Sequence, residues 1–160
     1  MRRSRSGNSF LETILYLPPI FLLLFGVIEL ARVAFTYHTL HKTLSSVARF
    51  AGTQQGVNYC GESDVDLVGQ AKRYGLSGST DESAPLVIPD LAVDMIDVRF
   101  EQVATDNTLA EFVAEGGCGR APDFVVVTIP NGYPVQLRIP FMTLEPVPLR
   151  PVVRLAFRGT

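Results

Sequence analysis

Residues 13–28 hold sixteen positions and not one charge, and nothing else in the chain restricts its folding as much. Eleven of the sixteen are Leu, Ile, Phe or Val. Each favours the centre of a lipid-embedded helix by about 0.3–0.6 kcal/mol, roughly 3–7 kcal/mol in all before Pro18, Pro19 and Gly26 are set against it. Residues 8–10 and 30–35 extend the run at both ends to the length a bilayer requires. The alternative is a buried core helix, but such a helix shows a polar stripe toward solvent, and none is present between Thr13 and Ile28. Arg2, Arg3 and Arg5 precede the run and supply the basic flank that the positive-inside rule leaves in the cytoplasm. One acid, Glu12, stands at its mouth. A carboxylate carried to the bilayer centre costs about 2.5–3.5 kcal/mol, so this one calls for a partner or a role.

The charge distribution follows the same division. Residues 1–52 carry six Arg or Lys against Glu12 and Glu29, a net +4, whereas residues 53–160 carry eight basic and fourteen acidic side chains, a net −6. The acidic part lacks the electrostatic footprint of a nucleic-acid-binding domain, and 160 residues allow one globular domain plus extras. Cys60 and Cys118 both follow the apolar run. With the arginines inside, the two cysteines lie on the oxidising side, where a bridge would close a loop of roughly 58 residues and contribute about 4 kcal/mol in the chain-entropy model. Two unpaired thiols are the alternative; neither cysteine belongs to a C-x-x-C pair suited to redox or zinc chemistry.

Beyond the apolar run, Leu30, Val33, Tyr37, Leu40, Leu44, Val47 and Ala51 recur at helical spacing, and Gly52 supplies a stop. The spacing predicts one helix of about 40–45 residues, roughly 60–70 Å. Its second half extends past any bilayer and needs something to lie against. Pro18 and Pro19 predict a kink or local unwinding over residues 14–19, with a hinge as the functional version of that bend. Ser63 or Asp64 caps a short second helix to Tyr74, and residues 75–85 read as a flexible linker. Strand patterns follow at 94–101, 124–129, 135–141 and 152–158, with residues 130–134 as the turn of a hairpin between the second and third, and 108–115 as a short helix or turn. The expected fold class is α+β: a leader at 1–7, a long N-terminal helix at 8–52 with its membrane segment at about 11–34, and a small antiparallel α+β domain at 53–160 whose apolar face the 40–51 stripe covers.

No catalytic constellation accompanies this layout. His38 and His41 are spaced H-x-x-H on the long helix, a spacing that can present two ring nitrogens to a metal, but no nearby Cys, Asp or Glu completes a ligand set. With no other histidine in the chain, a Ser-His-Asp or Cys-His site would need both partners to reach the juxtamembrane helix. No P-loop or dinucleotide fingerprint occurs. Neither a metal nor a cofactor is expected. Glu29 and Arg32 stand three apart and are expected to pair at the outer membrane edge.

Gly7, then Glu12 five residues on, then a proline-containing apolar run through Pro18, closed by Gly26, Glu29 and Arg32 as Gly-x-x-Glu-x-x-Arg, resembles the N-terminal segment of TadE-like pseudopilins of the tight-adherence (Tad/Flp) type IV pilus system. The resemblance covers about 45 residues; past Gly52 it rests on the general layout of helix, loop and C-terminal strands. It implies a pilin-like fold, cleavage by a prepilin peptidase between Gly7 and Asn8, and a register role for Glu12 against the free amine of a neighbouring subunit. The implied partners are the peptidase, other pilin or pseudopilin subunits, the inner-membrane assembly platform and the lipid bilayer. The implied location is the bacterial inner membrane, single pass, with the C-terminal domain periplasmic. Asn8 stands where many type IV pilins carry Phe, and Thr13 where the much shorter Flp major pilins carry Tyr, which points to an accessory subunit. The competing readings are a single-pass periplasmic binding or sensor module, and an exported hydrolase on a signal anchor.

Overall fold

The computed structural model describes residues 6–53, 63–81, 83–104, 108–111, 121–139 and 142–158. The architecture is α+β: a long apolar helix followed by a short helix and a small antiparallel sheet. The chain divides into two compact units, one comprising the chain to Thr36 with Val135–Val147, the other Tyr37–Pro134 with Pro148–Thr160. The long helix, α1 (Ser6–Thr53), contributes to both and is 48 residues long, roughly 70 Å at 1.5 Å per residue. It runs unbroken through Pro18 and Pro19. Of the kink or unwinding expected over residues 14–19, the unwinding is therefore absent. Because the two prolines are adjacent, the N–H groups they lack would have donated to the neighbouring Ile14 and Leu15 carbonyls, so one short stretch of the helix absorbs both losses.

In the second unit, the stripe read from the sequence becomes the core. Leu40, Leu44, Val47, Ala48 and Ala51 are fully buried and cluster with Val125, Val127, Ile129 and Val153 of the sheet. The four-stranded sheet comprises β1 (Asp97–Val103), β2 (Leu109–Glu111), β3 (Phe124–Thr128) and β8 (Val152–Ala156), in the order β2-β1-β3-β8 with every pair antiparallel. Val98 and Phe100 of β1 and Leu155 of β8 pack at the margin of the same cluster, as their alternation requires. On the opposite face Arg154 crosses β3, its guanidinium 5.9 Å from the Phe124 ring centroid and 2.7 Å from the Glu101 carboxylate. The Asp123 carboxylate accepts the Val103 N–H at 2.7 Å, and its carbonyl accepts the Phe157 N–H at 2.8 Å, so one residue ties the ends of three strands. The Arg158 N–H donates to Gly52 O at 3.0 Å and holds the last turn of α1 to the end of β8.

Several sequence expectations need correction. Residues 109–111 are strand β2 and not a helix or turn: the Ala104 N–H donates to Thr108 O at 2.9 Å, and the residues that follow pair along the open edge of β1; pairing there overrides local propensity. The strand expected at 94–101 begins at Asp97, after a 3-10 turn over Val93–Met95. Residues 135–141 are not the hairpin partner of β3, whose neighbours are β1 and β8. Pro130, Pro134 and Pro140 remove backbone donors that an inner strand needs, while residues 152–156 keep all of theirs. The turn at 130–134 forms, with the Gly132 N–H donating to Ile129 O at 3.0 Å. Gly132 has φ 76°, and a Cβ there would lie 2.8 Å from Pro148 Cβ, so both conformation and space call for glycine. Residues 133–149 instead form β4 (Tyr133–Val135) paired with β7 (Val147–Leu149), and β5 (Arg138–Ile139) paired with β6 (Met142–Thr143).

The linker expected at 75–85 is also partly wrong. The second helix, α2 (Ser63–Ser77), continues into it, and Leu76, Ile88 and Leu91 are buried in the core. Leu67, Ala71 and Gly75 line its buried face at four-residue spacing, and the Tyr74 ring stacks on Phe50 of α1 at 4.9 Å. Gly75 marks the closest approach of the two helices. A Cβ there would overlap a Val47 methyl and sit 3.2 Å from both Val47 N and Thr43 O.

Helix propensity alone favours Gly75→Ala by about 1 kcal/mol, but overpacking against a backbone and a stiff β-branched side chain costs about 1–3 kcal/mol. The expected outcome is net loss of stability in denaturant unfolding of the full chain in detergent, partly relieved by adding Val47→Ala. A second prediction concerns Tyr133, whose hydroxyl donates to Pro89 O at 2.9 Å. Burial, then the nearby Asp90 carboxylate, push its phenol above the ordinary value of 10.0. The folded state thus holds this proton more tightly than the unfolded chain. The resulting stability is present below pH about 10 and lost as pH rises through the raised value. Unfolding midpoints above pH about 10 should fall less steeply for Tyr133→Phe than for the parent chain.

Candidate functional site

The first unit is built on the apolar half of α1. Every large apolar side chain from Phe10 to Ile28 is exposed, Leu15 at 74% and Leu23 at 68%. A helix apolar on all sides finds no cover in its own fold and takes it from lipid or from other helices. Among the described residues, α1 is the one helix long and apolar enough to cross a membrane. Glu12 is exposed at the near end of this surface, beside a shallow open hollow lined by Tyr16, Leu17, Ile20 and Phe21. Among the described residues none forms an ion pair with it. Gly7 and Asn8 lie within the helix, five and four positions before Glu12, so the backbone around the expected cleavage point and the acid share one rod. Arg2, Arg3 and Arg5 lie outside the described residues, as do Cys60 and Cys118, and with them the expected disulfide.

At the far end of the run the structure adds to what spacing foretold. Arg32 donates through Nη2 at 2.9 Å and Nε at 3.1 Å to the same Glu29 oxygen, Oε2. Arg32 Nη2 also donates to the backbone carbonyl of Gln136, and the backbone N–H of Arg138 donates to the Glu29 carboxylate. Glu29 is buried by this arrangement, at 9% exposure. Four groups therefore form one clamp: an i,i+3 pair on the helix and one acceptor and one donor from the strand segment more than a hundred residues away. Sequence spacing could find the first half. It could not find the second, because the partners are main-chain atoms and carry no residue signature.

The rings of His38 and His41 each lie 6.5 Å from that of Tyr37, centroid to centroid. Among the described residues no group of three or more His, Cys, Asp and Glu is placed to hold a metal. The distinctive chemistry of this unit is thus an all-round apolar helix with one acid near its start and a charged clamp near its end.

Residues 7–49 match the family model described as TadE-like protein. No curated protein and no solved structure matches the chain. The TadE-like match lies wholly within α1 and contains Gly7, Glu12, Pro18, Glu29 and Arg32, the positions on which the sequence resemblance rests. It also takes in Leu40, Leu44 and Val47, so the matched segment includes both the exposed apolar surface and the stripe buried against the sheet.

Removing the Glu29 carboxylate leaves Arg32 without its partner and takes away the acceptor of the Arg138 amide. Hydrogen bonds to charged groups are worth about 1.5–3 kcal/mol, so amide exchange at Arg138 in Glu29→Ala should quicken by roughly ten- to a hundredfold. Exchange in the core strand β3 should stay unchanged, as read by hydrogen-exchange mass spectrometry.

Proposed function

We propose that the chain is a membrane-anchored pseudopilin that takes part in assembling or initiating a Tad/Flp pilus, with a structural and not a catalytic task. The observation that carries this reading is the TadE-like match over residues 7–49 on a helix whose apolar surface is left uncovered on every side from Phe10 to Ile28. In this reading a prepilin peptidase cuts after Gly7 and leaves Asn8 as the new N-terminus. The arginine-rich leader faces the cytoplasm, α1 crosses the bacterial inner membrane once, and the sheet-bearing part is periplasmic.

Glu12 then has a physical task. Four helical residues separate it from Asn8, an axial offset of roughly 6 Å. A neighbouring subunit displaced by that amount brings its free amine to the Glu12 carboxylate. An isolated carboxylate in a low-dielectric bundle is costly and a paired one is tolerated, so the charge favours assembly in one register over insertion alone. The hollow lined by Tyr16, Leu17, Ile20 and Phe21 offers a neighbouring helix an apolar seat on the same stretch. The partners of this reading are the prepilin peptidase, other pilin-type subunits and the inner-membrane assembly platform.

N-terminal sequencing of the membrane-extracted protein should give Asn8 in cells with the peptidase and Met1 in cells without it; Met1 in both would contradict the proposal. Glu12→Ala should be processed normally yet recovered in cross-linked subunit complexes about tenfold less, the effect of losing roughly 1–2 kcal/mol of polar helix–helix interaction in lipid.

A further inference from the structure

Strand β8 is the last of its sheet, with β3 on one side and no described strand on the other. The Phe157 N–H donates to Asp123 O, in line with the β3–β8 register, and bonded and non-bonded pairs alternate along an antiparallel ladder. Val153 and Leu155 therefore turn their main-chain groups toward β3, while Val152, Arg154 and Ala156 turn theirs to the open side. The Arg158 N–H belongs to the same outward set and finds an acceptor in Gly52 O at 3.0 Å. Among the described residues nothing takes up the outward N–H and C=O groups of Arg154 and Ala156. A row of such groups is a template for one more strand.

A groove of about 470 Å³ lies at this edge, between Ala48, Arg49 and Thr53 of α1 and Leu155, Ala156 and Arg158. Both walls belong to the same compact unit. Leu155 packs at the margin of the core, so the groove continues the layer between sheet and helix past the last strand. Side chains on the helix-facing side of an added strand would enter it. Arg49 and Arg158 are exposed there, and among the described residues neither forms an ion pair, although residues 53–160 carry fourteen acidic side chains. A free phosphate would engage the guanidiniums alone. An extended peptide with carboxylates engages the guanidiniums and the strand edge together.

We propose that the β8 edge and this groove form a docking site for an extended acidic segment of a partner protein, added as a further strand with its carboxylates at Arg49 and Arg158. The site lies in the sheet-bearing unit and does not depend on the membrane reading of α1. The probe is a fluorescein-labelled peptide of alternating glutamate and valine, titrated by anisotropy against the full chain in detergent. The expected result is saturable binding that salt weakens, with amide exchange at Arg154 and Ala156 fast in the free chain and slowed by the peptide. A peptide with lysine in place of glutamate should bind about tenfold more weakly. So should an acidic peptide N-methylated at every residue, which offers no N–H to a strand. Arg49→Glu combined with Arg158→Glu should reverse the preference toward the lysine peptide, which a misfolded chain would not do. No binding, or equal binding of the acidic and lysine peptides to the parent chain, would overturn the proposal. Undiminished binding of the N-methylated peptide would overturn it in favour of plain anion binding. Slow exchange at Arg154 and Ala156 before any peptide is added would also overturn it: the edge is then covered by a second copy if protection rises with chain concentration, and by the chain itself if it does not.

Discussion

The burial of one helical stripe, Leu40, Leu44, Val47 and Ala51, is the interaction on which the folded part of this chain depends. These side chains meet Val125, Val127 and Val153 on the inner face of β3 and β8, and α2 closes over the same helix at Gly75 and Thr43. A four-stranded sheet of short strands has one apolar face to cover. Here the cover is the C-terminal part of a rod whose N-terminal part has no cover of its own. A single continuous helix therefore presents two kinds of surface. From Phe10 to Ile28 it offers apolar atoms all round, and from Leu40 onward it shows an ordinary amphipathic stripe. The hydroxyls of Thr36, Ser45, Ser46 and Thr53 each return to the carbonyl four residues earlier, so these four groups need no outside partner.

Between those halves the helix carries its only ion pair among the described residues, Glu29–Arg32 at 2.9 Å. On an exposed helix such an i,i+3 pair is worth a few tenths of a kcal/mol. Here the same two groups also engage the Gln136 carbonyl and the Arg138 amide. That alters what the pair does. It attaches a strand segment to α1 at the end of the apolar run and supplies polar partners to that segment's main chain. Glu12 differs in kind: it is exposed and has no ion-pair partner among the described residues, a charge whose complement has to come from elsewhere.

The reading of the fold from sequence succeeded where periodicity is strong. The stripe on α1 was legible because it repeats at helical spacing, and the FVVVTI strand at 124–129 because it is an unbroken run of apolar and β-branched residues. The errors fell where pairing depends on backbone supply. Residues 135–141 alternate like a strand, yet the prolines around them remove donors and leave β8 to take the place beside β3. Residues 109–111 have helix-forming side chains, yet they close the edge of β1. Gly75 read as a linker because glycine is common in linkers; it is in fact the position that lets two helices touch.

The sequence by itself determined the apolar run, the Gly7–Glu12 spacing and the buried stripe, because each is a matter of side-chain identity at fixed helical intervals. The tertiary structure alone decided the strand order β2-β1-β3-β8, the use of Gly75 as a contact point, and the attachment of Gln136 and Arg138 to the Glu29–Arg32 pair. Those outcomes turn on main-chain donors, acceptors and clearances between segments distant in the chain, and a list of side chains does not record them.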